Sequence, residues 1–187
     1  MQTRPLRADA ARNRHALLAA ACACFARGGR ATQMDEVASA AGVGIGTLYR
    51  HFPTKLDLVG AILAEQLGCF AARARQADGG SAWDRLTALL REMLRSQSEN
   101  RSLSEISTCE VAKTRPELGE RRRELHDALD ALMRAAVDEG ALRGDVGVDD
   151  VLCFVFNAHL TERDDAWCRY AEVVIDGLRA RGAKSTA

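Results

Sequence analysis

Apolar residues recur in this chain at helical spacing almost from end to end, and nowhere alternate as a half-buried strand requires. Leu17, Ala21, Cys24 and Phe25 form one stripe, and Met34, Val37, Ala38 and Ala41 a second. Leu48 and Phe52 form a third, and Leu56, Val59, Ile62, Leu63 and Leu67 a fourth. Trp83, Leu86, Leu90 and Met93 then line one helix, and Leu118, Leu125, Leu129, Leu132 and Ala136 another. The breaks fall at helix-ending residues: Gly28-Gly29, Gly42, Pro53, Gly79-Gly80, Gly140 and Gly144. Helices are expected over residues 8–27, from a cap at Thr32 to Gly42, around Leu48, from Lys55 towards Gln76, and over 82–98. Others are expected around Leu103–Lys113, over 116–139, 148–161 and 164–181. Thr32 with Asp35 reads as a capping-box-like start, and Ser81 as a cap. The fold class is all-α. An apolar content of 47% with only 5% aromatics, carried by alanine and leucine, agrees with that.

The net charge of zero hides an asymmetry. The first sixty residues hold eight Lys or Arg against four Asp or Glu, a net +4, so the remainder carries −4. A basic head on an acidic body suits a head that meets phosphate. No run of about 18 apolar residues exists to span a membrane, and MQTRPLRADAARNR lacks the apolar stretch of a secretory signal. The six cysteines, at 22, 24, 69, 109, 153 and 168, form no CxxC pair and sit within apolar helical patterns. They read as small core residues of a reduced, cytoplasmic protein that holds no metal and no cofactor.

The head contains GVGIGTLYRHFPTK, residues 42 to 55. Two short helices joined by a turn at Gly42 describe a helix-turn-helix. Leu48 and Phe52 share one face and anchor the second helix. Ile45, Thr47, Tyr49, Arg50 and His51 are left to point outward. Gly44 and Gly46 at its start let backbone approach a phosphate or base edge. Such a helix fits the DNA major groove. Arg50 suits a guanine edge and Thr47 a thymine methyl, while Tyr49, His51 and Lys55 can reach phosphates.

The stretch TQMDEVASAAGVGIGTLYRHFPTKLDL, Thr32 to Leu58, with ALLAAACACFARGG before it, resembles the signature of TetR-family bacterial regulators over roughly fifty residues. That resemblance implies a three-helix DNA-binding domain, placed at residues 1–54, and a helical dimerisation and ligand domain at 55–187. It implies that Thr32 and Gln33 meet backbone phosphate, that Ile45, Thr47, Tyr49 and Arg50 face bases or sugars, and that His51 and Lys55 meet phosphates. Gly44 departs from the family pattern, where a polar cap is common.

In the body, residues 167–179 on a helical wheel spread apolar side chains over about 220°, wider than the roughly 100° stripe a surface helix needs. Residues 151–160 are apolar almost all round. Two such helices at the end of the chain predict a four-helix interface between two copies, through Val151, Val155, Trp167, Val174, Gly177 and Leu178. Asn157 and His159 sit in apolar surroundings, where a polar group needs a partner: the core, the second copy or a ligand. Met93, Thr108, Cys109, Leu129 and Met133 complete the candidate pocket, placed between helices 82–98 and 116–139.

The function expected is a non-enzymatic, ligand-responsive repressor that binds a palindromic double-stranded DNA operator as a homodimer. It would be cytoplasmic, and nucleoid-associated when bound to DNA. One alternative gives the body a protein partner instead of a small ligand. Another, a small helical ligand carrier or enzyme, finds no catalytic triad, phosphate loop or metal spacing to support it.

Overall fold

The computed structural model describes residues 4–76, 80–99, 116–156 and 166–180 of the 187. Among them run eight α-helices and no strand: α1 Arg4–Gly28, α2 Met34–Ala40, α3 Ile45–His51, α4 Lys55–Arg75, α5 Ala82–Glu99, α6 Pro116–Asp138, α7 Val148–Phe156 and α8 Ala166–Leu178. A 3-10 turn, Gly29–Ala31, follows α1. The helix expected around Leu103–Lys113 lies outside the described residues.

The breaks act through identifiable hydrogen bonds. At the end of α2, Val43 N–H donates to Ala38 O at 3.0 Å and Gly42 N–H to Ser39 O at 3.1 Å. Gly42 takes φ +66, the left-handed turn this motif requires. The same motif ends α6, where Gly140 has φ +71 and Ala141 N–H donates to Ala136 O at 3.1 Å. Ser81 caps α5 as expected, its hydroxyl accepting from Asp84 N–H at 3.1 Å.

The described residues form two compact units. Residues 4–65 with 116–118 make the first, and residues 66–76, 80–99, 119–156 and 166–180 the second. The first unit therefore takes in the start of α4. There α1 packs on α2 and α2 on α3. Its core holds Leu17, Ala21, Phe25, Val37, Leu48, Phe52, Leu58 and Val59, all buried. In the second unit α5 packs against α7 and α8. Leu86, Leu90 and Met93 of α5, Leu125, Leu129 and Leu132 of α6, Val151 of α7 and Ile175 of α8 are buried there.

Two links in the second unit join segments distant in sequence. The Glu139 carboxylate accepts from Ala82 N–H at 2.8 Å and Trp83 N–H at 3.3 Å, so an acid just beyond α6 caps the start of α5. Leu142 and Arg179 form an isolated antiparallel bridge, with Arg143 N–H donating to Leu178 O and Ala180 N–H to Ala141 O.

Candidate nucleic-acid interface

The second helix of the helix-turn-helix, α3, is only seven residues long. Alone, so short a helix would not persist in water, so its packing holds it. Leu48 is 0% exposed and Phe52, its C-cap, 3%. Phe52 N–H closes the last turn on Leu48 O at 2.8 Å. With those two side chains turned inward, Ile45, Gly46, Tyr49, Arg50 and His51 are exposed and Thr47 is half-buried. Ile45 and Tyr49 are 42% and 48% exposed. Gly44 is the N-cap and offers no side-chain oxygen.

Arg50 folds back along its own helix. Its Nε donates to Gly46 O at 3.2 Å and one Nη to Thr47 Oγ1 at 3.0 Å. The side chain is thus held along α3 while staying exposed. A guanidinium has five N–H donors, so this arrangement leaves others for a base edge.

Three sequence expectations change here. Thr32 does not cap α2. It is 2% exposed, and its hydroxyl donates to Cys24 O at 3.1 Å, with Thr32 N–H donating to Gly29 O. Both donors are thereby taken up by acceptors within the protein. Gly28 makes this possible, since a Cβ there would lie 2.6 Å from Thr32 Oγ1. The cap is Gln33, and its capping-box partner is Glu36 rather than Asp35: the Glu36 carboxylate accepts from Gln33 N–H at 3.1 Å. Gln33 is exposed and its side-chain amide donates to Ala31 O at 2.8 Å.

Lys55 is half-buried rather than extended into solvent. Its Nζ donates to Arg30 O at 2.6 Å and stands 5.5 Å from the Phe25 ring centroid. It ties the start of α4 to the 3-10 turn after α1. That start has a cap the sequence reading missed: Thr54 N–H and Oγ1 both donate to Asp57 Oδ2, at 2.6 and 2.7 Å, and Asp57 N–H donates to Thr54 Oγ1. A T-x-x-D spacing directly after Pro53 was the available signal.

The body places its candidates unevenly. Val151, Val155 and Leu178 are 0–3% exposed, closed within the second unit's own core, and so do not face outward as expected. They occupy the inner stripes of α7 and α8 with Ala171 and Ile175. Trp167 and Val174 are half-buried and Gly177 is exposed. The outer surface instead carries Phe154 and Phe156 of α7 and Val173 of α8, at 45%, 41% and 57% exposure. Tyr170 joins the two helices, its hydroxyl donating to Phe154 O at 3.0 Å. Burial, and after it the neighbouring Cys153, push its phenol pKa up. Cys69, Cys153 and Cys168 are exposed rather than core residues, and Cys22 is half-buried, while Cys24 is buried as expected. Met93, Leu129 and Met133 are buried. Thr108, Cys109, Asn157 and His159 lie outside the described residues.

Comparison with known proteins gives this geometry its context. The family model described as bacterial regulatory proteins, tetR family, matches residues 17–62. A second, described as the C-terminal domain of SbtR-like transcriptional regulators, matches residues 81–180, more than half of the chain. The chain belongs to the TetR family of bacterial regulatory proteins.

As a TetR-family member it is a regulator of transcription rather than an enzyme, and α2 with α3 is the family's helix-turn-helix. A crystal structure of a TetR transcription regulatory protein from Mycobacterium vanbaalenii is 34% identical, with a TM-score of 0.72, over 94% of this chain and 100% of that one. The HTH-type transcriptional repressor KstR of Rhodococcus jostii is 33% identical over 96 residues, 51% of this chain and 45% of that protein. This chain thus spans about half the length of the KstR relatives it matches. KstR2 of the same organism, also named a repressor, is 29% identical over 87% of this chain and 89% of that one. Among the described residues no helix is long and apolar enough to cross a membrane.

Proposed function

We propose that this TetR-family protein is a repressor that binds a palindromic DNA operator as a homodimer and is released by a mainly apolar small molecule. Residues 1–54 carry the DNA contact and 55–187 the ligand and the dimer. The observation that carries the reading is the outward face of α3: Ile45, Tyr49, Arg50 and His51 exposed around an anchor of Leu48 and Phe52. Gln33, exposed at the start of α2, and Thr47 extend that face, and Gly44 lets the backbone approach. Arg50 reads a guanine edge, Thr47 and Ile45 meet thymine methyls or sugars, and Tyr49 and His51 reach the backbone. Lys55 steadies the unit and adds charge near the phosphates.

For the dimer, the exposed Phe154 of α7 and Val173 of α8 supply apolar side chains, with Gly177 exposed and Trp167 and Val174 half-buried on α8. Two recognition helices then meet successive turns of one groove face, about 34–36 Å apart. For the ligand, the buried, flexible Met93 and Met133 beside Leu129 give a lining that yields to an apolar molecule. A ligand that prefers the DNA-free form about 100-fold couples by about 2.7 kcal/mol.

The test is fluorescence anisotropy with DNA from upstream of the protein's own gene, against an unrelated duplex at two salt concentrations. Specific binding by a dimer supports the reading. Equal affinity for both duplexes at every salt concentration contradicts it.

A further inference from the structure

We propose that Arg14, on α1, is a DNA-backbone contact held at the C-terminal end of α3 by the ring of Phe52. The inference rests on the DNA reading above and adds a residue from outside the helix-turn-helix. The Arg14 guanidinium carbon lies 5.3 Å from the Phe52 ring centroid. Phe52 is buried and fixed as the C-cap of α3, so the cation rests on a rigid platform. A cation–π contact uses the face of the guanidinium and none of its five N–H donors. Arg14 is itself exposed, and no acid pairs with it among the described residues.

The surroundings give the arrangement its direction. Phe52 follows Arg50 and His51, the two basic residues of the last turn of α3. The His51 ring stands 6.2 Å from that of Phe52. A helix seated in the major groove has phosphates along both edges, and cations around one end of it suit that edge. Stacking on Phe52 removes much of the rotamer freedom that an exposed arginine would lose on binding. A competing role is purely structural: a cation near the C-terminus of α3, favoured by the helix dipole.

The two roles differ in salt dependence. The experiment compares wild type, Arg14→Gln and Arg14→Lys by anisotropy on the operator and on an unrelated duplex across a salt series, with melting temperatures alongside. If Arg14 contacts a phosphate, Arg14→Gln weakens binding to both duplexes by a similar factor. The slope of log affinity against log salt then falls by about 1 per protomer, about 2 for a dimer. Arg14→Lys keeps most of the slope, and the melting temperature stays near wild type for both variants. An unchanged slope for Arg14→Gln overturns the proposal, whether or not melting falls. A wild-type chain that binds neither duplex overturns the DNA reading itself, a result distinct from failure of Arg14 alone.

Discussion

Leu48 and Tyr49 are neighbours on α3 with opposite surroundings, and replacing each with alanine separates folding from recognition. Leu48 is 0% exposed and anchors a seven-residue helix. Truncating a buried leucine costs about 2–5 kcal/mol, depending on how far the site collapses. A unit of this size holds only several kcal/mol in all, since stability runs at about 0.05–0.15 kcal/mol per residue. At about 4–8 °C per kcal/mol for a small domain, Leu48→Ala lowers melting of the first unit by at least about 8 °C. Tyr49, at 48% exposed, makes no comparable contribution. Its truncation changes stability within about 0.5 kcal/mol, or a shift below about 4 °C. In the operator complex the order reverses at temperatures where both variants are folded. Tyr49→Ala loses about 1–3 kcal/mol of binding, roughly 5- to 150-fold, with melting intact. The assays are calorimetry or circular dichroism for melting and anisotropy for affinity. Tyr49→Ala melting far below wild type while binding DNA normally would refute the inward and outward assignment of α3.

Other consequences can be checked independently. Gly42→Ala forces a side chain into a φ of +66 and should destabilise the helix-turn-helix by about 1–2 kcal/mol in a denaturant titration, with no change in the second unit. Glu139→Ala removes the acceptor for Ala82 and Trp83 N–H and should cost about 0.5–2 kcal/mol of stability, whereas Ser81→Ala costs a similar amount from the other side of the same cap. Phe154→Glu with Val173→Glu should leave the protomer folded and shift light scattering from dimer to monomer, because both side chains are exposed in one copy. A saturating apolar effector at about 100 times its dissociation constant should stabilise the protein by about 2.7 kcal/mol and release the DNA.

Helix positions were legible because glycine and proline interrupt a steady helical period, and each acts locally. Gly42 and Gly140 stop helices through hydrogen bonds spanning six residues or fewer. The anchor and outward faces of α3 followed from the same period. Other features depend on contacts the period does not encode. Thr32 and Gln33 are adjacent, and either can cap a helix. Which one does so is set by Gly28, four residues back, whose missing Cβ leaves room for the Thr32 hydroxyl beside Cys24 O. The wheel of residues 167–179 showed an apolar arc too wide for one partner. It could not say which part the core would take, and the core took Ala171, Ile175 and Leu178. Val151 and Val155 went the same way on α7, leaving Phe154 and Phe156 outside. The Glu139 link to the start of α5 spans more than fifty residues and has no local signature.

The proposed function requires the outer face of α3 to read DNA twice, in a symmetric pair. Selection of bound duplexes from a random library by the wild-type protein, followed by sequencing, tests it most directly. The expected result is enrichment of an inverted repeat, with half-site centres one turn or a small multiple of about 10–10.5 base pairs apart. Enrichment of no sequence, or of a single asymmetric site with no repeat, would contradict it.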